Sequence, residues 1–95
     1  MDFDQFVHST TAPQPPSLRP SLIALWWDKK GDWEKAHDIA QEISGQEGSW
    51  IHAYLHRKEG DIWNADYWYS RAGKSRPACS LDEEWEDIAK CMIEG

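Results

Sequence analysis

The chain has 95 residues and carries 17 acidic against 10 basic side chains, a formal charge of −7. A surplus of that sign repels a phosphate backbone, so generic nucleic-acid binding is excluded as an expectation. No run approaches the ~18 apolar residues of a membrane span, and Met1-Asp-Phe-Asp-Gln-Phe6 lacks the basic-then-apolar order of an export signal; no membrane partner and a cytoplasmic location are expected. A chain this short buries a modest share of its surface and needs a core dense in large side chains. The 7 Trp, 3 Tyr and 2 Phe supply it. Cys79 and Cys91 read as free thiols, because two isolated cysteines without an export signal rarely pair.

In chain order, residues 1–19 form an arm. Pro13, Pro15 and Pro16 favour extended backbone. Phe3, Phe6 and Val7 are spaced for one side of a short helical turn, so the tip either docks on the body or stays free. Residues 20–95 read as one helical domain. Pro20 suits a first helical turn, with Ser17 upstream as a cap, and the spacing predicts a helix over 20–30 whose Leu22, Ile23, Leu25, Trp26 and Trp27 are apolar nearly all round. Gly31-Asp32 stops it and starts a second helix over 32–44, with Trp33, Ala36, Ala40 and Ile43 on its inner face. Residues 44–48, Ser-Gly-Gln-Glu-Gly, read as a connection. A third helix is expected over 49–59 and a fourth over 61–73, separated by Gly60-Asp61. Ser80-Leu-Asp-Glu83 is a capping-box pattern for a last helix over 80–93, with Leu81, Trp85, Ile88 and Met92 on one face. The fold class is all-α.

The two Gly-Asp corners stand 29 residues apart, close to the ~34-residue period of two-helix repeats. With Ala65, Tyr69 and Ala72 at small-aromatic-small positions and Pro77 as a closing residue, the segment Asn64-Ala-Asp-Tyr-Trp-Tyr-Ser-Arg-Ala-Gly73 resembles the second helix of tetratricopeptide and SEL-one-like repeats. The first copy keeps Ala36 and Ala40 but has an alanine where the second has Tyr69, and neither copy has the family's Leu-Gly pair. Over residues 20–77 the resemblance implies two antiparallel hairpins, here followed by a capping helix. It also implies that the first helix of each hairpin lines a concave side. Matching the corners puts Trp50, Tyr54, Arg57 and Lys58 there, with Leu25, Asp28 and Lys29 from the first copy. Aromatic rings with arginine are the usual make-up of binding hot spots, and Arg57 with Lys58 suits a carboxylate or acidic peptide. An alternative reading makes Trp50 and Tyr54 core under the arm.

On the fourth helix, Trp63 and Tyr67 project together, away from the face of Ala65, Tyr69 and Ala72. Something should cover them: the last helix, the arm or a second copy of the chain. They are the candidates for self-association. His52 and His56 share one side of the third helix, with Glu59 three residues on, a spacing that zinc can use. Ala53 stands where a metalloprotease has its general base, so the pair is expected to be structural, with no metal and no cofactor. No catalytic constellation is found. The expected role is a non-catalytic interaction module for a protein or peptide partner, with a homodimer also open. The other class of reading is a small-molecule-binding protein or enzyme with a site around Trp50, His52, Tyr54, His56 and Arg57.

Overall fold

The computed structural model describes residues 1–95 and contains helices and no strand. The helices are α1 (Phe3–Ser9), α2 (Pro20–Lys29), α3 (Trp33–Gln41), α4 (Gly45–Glu59), α5 (Ile62–Arg71) and α6 (Leu81–Glu94). The two Gly-Asp corners have the same geometry. Gly31 and Gly60 hold φ of 88° and 89°, a region where a Cβ is strained. The Asp32 amide then donates to Trp27 O and the Asp61 amide to His56 O, both at 3.0 Å, which closes the helix before. Each aspartate carboxylate caps the helix after it, accepting from the amide of Lys35 at 3.1 Å and of Asn64 at 3.3 Å. Stop and start within two residues turn α3 back along α2, and α5 back along α4.

The α3–α4 connection differs from expectation. Helix α3 ends at Gln41, and α4 begins at Gly45 rather than near Ser49. Ser44 is extended and serves as the N-cap residue of α4, so the polar, glycine-containing stretch that reads as loop is the helix's first turn. Gly48 is needed there because a Cβ would stand 2.0 Å from Ile43 O. Small size, and not flexibility, selects this glycine. Helix α2 differs in a smaller way: Arg19, and not Ser17, is its N-cap residue, with Pro20 in the first turn.

The arm is not extended throughout. Asp2 and Gln5 form a capping box that starts α1. Phe6 is fully buried and stacks on Trp85 with ring centroids 5.5 Å apart, while Phe3 meets the same indole edge-on at 5.9 Å. Lys30 Nζ holds the return of the arm through Thr10 O and Ala12 O at 2.9 and 3.0 Å. Helix α6, started by its Ser80–Glu83 capping box, lies across α2 and α4 and also meets α1. Its Trp85 Nε1 donates to Leu25 O at 3.1 Å. The main core is therefore Phe6, Leu22, Leu25, Trp26, Ile51, Leu55, Trp85 and Ile88, gathered where α6 crosses the two hairpins. Ala53, Ala65 and Tyr69 make a second, smaller cluster between α4 and α5.

Candidate functional site

Helix α4 is packed on both sides, and stepping about 100° per residue separates its polar groups into two sets. Trp50, Tyr54 and Arg57 face α6 and α2, while His52 and His56 face α3 and α5. The five residues of the small-molecule reading are thus not brought together. A cleft of about 390 Å³ beside Trp50 is lined by Arg19, Glu47, Lys74 and Met92, and takes in none of His52, Tyr54, His56 or Arg57.

On the α6 side, the residues expected to meet an outside partner meet this chain. Glu84 is 1% exposed and accepts from Arg57 Nη1 at 2.7 Å, Tyr69 Oη at 2.6 Å and Trp50 Nε1 at 3.2 Å. A second Arg57 nitrogen donates to Cys79 O. Burial opposes the Arg57 charge, but the hydrogen bond and charge of Glu84 outweigh it and raise the pKa. Asp28, also buried, accepts from Tyr54 Oη at 2.8 Å and from Lys58 Nζ at 2.9 Å. Burial, then the charge of Asp28 and its hydrogen bond, push the Tyr54 phenol far above its ordinary range.

Two of the expected partner-binding residues are therefore corrected: Leu25 is 0% and Tyr54 2% exposed, and neither can reach another molecule in this conformation. Arg57 and Lys58 are committed to Glu84 and Asp28. Trp50 is half-buried with Lys74 Nζ 4.1 Å over its ring, and Lys29 is exposed with its Nζ 5.0 Å from Trp85. The acidic peptide that Arg57 and Lys58 suggested is represented by Glu84 of α6 and by Asp28. Sequence reasoning sees Glu84 as one of three acids in a first helical turn and has no signal that it alone turns inward.

The other side of α4 holds a cluster that the sequence gives little hint of. His37 comes from α3 and sets its Nε2 2.9 Å from His52 Nε2. One ring nitrogen from each of His37, His52 and His56 lies within 4.8 Å of the others. Trp33 stacks on His37 at 4.9 Å and is itself pinned by its Nε1 bond to Leu55 O at 2.8 Å. Trp68 of α5 stacks on His52 at 4.1 Å. Glu59 Oε2 stands 2.6 Å from His56 Nδ1. Burial, with His37 and His56 adding to it, lowers the His52 pKa to about 4; burial and then His56 lower that of His37 as well. His37 is separated from His52 by a whole helix–helix connection, so only packing of α3 on α4 brings them together.

Trp63 and Tyr67 are covered neither by α6 nor by the arm, and remain 85% and 49% exposed. Ile62, 37% exposed, begins the helix on the side of Tyr69 and is not part of that face.

No family model, no curated protein and no solved structure matches the chain. The fold and sites define an all-α protein of two helical hairpins crossed by a sixth helix. No helix is long and apolar enough to cross a membrane.

Proposed function

We propose that the protein is a non-catalytic helical-repeat interaction module whose partner surface is the outer face of α5. The observation that carries this reading is the concentration of exposed rings there. Of the four large apolar side chains that are exposed, the two aromatic ones, Trp63 and Tyr67, lie together on this one face. Adjacent exposed rings form an apolar patch of the kind that marks interaction sites, and tryptophan and tyrosine are enriched in binding hot spots. The equivalent corners at Gly31-Asp32 and Gly60-Asp61 support a repeat origin of the tetratricopeptide or SEL-one-like kind, built for presenting helix faces.

The occupant is an amphipathic protein segment with a basic flank. A chain of net charge −7 attracts such a segment and repels a copy of itself. The patch is also small. A ten-residue helix is about 15 Å long, whereas a stable dimer buries about 800 Å² per partner. The test is selection of binders from a displayed library of basic amphipathic helical peptides, with the Trp63→Ala/Tyr67→Ala double variant as the counter-target. Peptides that bind the wild type, weaken with salt and lose the double variant support the reading. Peptides that bind both alike, or a concentration-dependent dimer in sedimentation that the double variant abolishes, replace it.

A further inference from the structure

We propose that His37, His52 and His56 form a three-imidazole site for a divalent transition metal of the zinc class. The donors come from two helices: His52 and His56 from successive turns of α4, and His37 from α3 across the interface. Their nitrogens already converge. In a tetrahedral zinc site with Zn–N of ~2.0–2.1 Å, two ligand nitrogens stand about 3.3 Å apart. The 2.9 Å between His37 Nε2 and His52 Nε2 needs to open by only a few tenths of an ångström.

The surroundings hold the rings in place for this role. Trp33 and Trp68 stack on His37 and His52 and limit their rotation. Glu59 accepts from His56 Nδ1, which keeps the proton on that nitrogen and leaves Nε2 with its lone pair. A carboxylate behind a metal-bound imidazole works in this way. The remaining polar partners are poor. The Nε2 atoms of His37 and His52 bond each other and no other protein group, and His56 Nε2 has only the Asn64 side-chain amide at 3.4 Å. A metal ion satisfies all three lone pairs at once. On binding, the ring that carried the proton between His37 and His52 moves it from Nε2 to Nδ1, so two neutral imidazoles coordinate without net change in protonation. His37 is half-buried whereas His52 and His56 are buried, so solvent reaches the cluster from the α3 side. Imidazole donors suit zinc, copper and nickel better than calcium or magnesium.

The test is titration of the metal-free protein with Zn²⁺ by calorimetry and with Co²⁺ by visible absorption. It is done on a Cys79→Ser/Cys91→Ser background to remove thiol ligands, with circular dichroism to show that each variant is folded. The expected result is one ion per chain and the d–d bands of a tetrahedral Co²⁺ site. His37→Gln lowers affinity by roughly tenfold or more and loses the bands, Glu59→Gln weakens binding ~10–100-fold, and His8→Gln, at an exposed position on α1, changes neither. His37→Gln is the decisive variant because its half-exposed position tolerates the change. No uptake at micromolar Zn²⁺, or uptake that survives His37→Gln in a folded protein, overturns the site and leaves a hydrogen-bonded imidazole row only.

Discussion

Glu84 shows how one side chain sets the orientation of an entire helix. Its carboxylate ties α6 to α4 through Arg57 and Trp50 and to α5 through Tyr69. Removing one partner of a buried pair leaves the other charge uncompensated, a loss of about 3–5 kcal/mol. Glu84→Ala is therefore expected to destabilise the protein by roughly 3 kcal/mol in urea denaturation. A loss below about 1 kcal/mol, the level of an exposed pair, contradicts the buried network. His52 makes a second prediction at this scale, with a definite sign. In the folded metal-free protein its pKa is lowered from 6.5 to about 4, so over that interval the unfolded chain binds the proton and the folded chain resists it. The stability this group contributes is complete above pH 6.5 and is lost as pH falls toward 4. The urea midpoint should fall across that window, and fall less steeply in His52→Gln. Equal slopes for the two proteins contradict the assignment. Neither residue announces its role in the sequence: Glu84 is the last of three consecutive acids, Asp82-Glu83-Glu84, at the start of α6, and His52 looks like half of an incomplete pair.

Among the elements, the corners were legible and the coverings were not. Gly31-Asp32 and Gly60-Asp61 combine a positive-φ residue with a side-chain cap, and both signals are local, so the helix reversals follow from four residues. The start of α4 reads as loop because Gly45 and Gly48 imply it by propensity, whereas the tight approach to Ile43 O requires glycine at position 48 inside the helix. The spacing of Phe3, Phe6 and Val7 marks α1 as a helical turn, but its berth depends on Trp85, some 80 positions later, and no local pattern points there. Phe6→Ala tests the docking. It removes the ring stacked on Trp85 and is expected to cost ~3–5 kcal/mol and to shift tryptophan emission to the red as water reaches Trp85. An unchanged spectrum and stability contradict a docked α1. The burial of Leu25 and Tyr54 is hidden from the sequence for a related reason. Matching corners assigns Leu25 and Tyr54 to the first helix of each hairpin, but periodicity along α2 and α4 carries no sign that α6 lies across those helices.

For the whole molecule, the consequence is a chain that serves as its own ligand on one side and remains open on the other. Its radius of gyration, 12.3 Å, is that of a fully packed chain of this length, about 12 Å. The compactness comes from α6 and α1 closing over α2 and α4. What is left uncovered is the aromatic face of α5, which shares neither of the buried carboxylates nor the histidine cluster. The composition made this arrangement visible in outline, since a short chain with so many rings must bury most of them; which rings stay wet depended on where α6 lies. Hydroxyl-radical footprinting read by mass spectrometry measures that difference directly, residue by residue, in the unmodified protein. Trp63 is predicted to oxidise fastest of the seven tryptophans and Tyr67 fastest of the three tyrosines, with Trp26, Trp85, Tyr54 and Tyr69 protected until the protein unfolds. Oxidation of Trp85 and Tyr54 as rapid as that of Trp63 would mean that α6 does not cover the inner side, and would return the partner surface to α2 and α4.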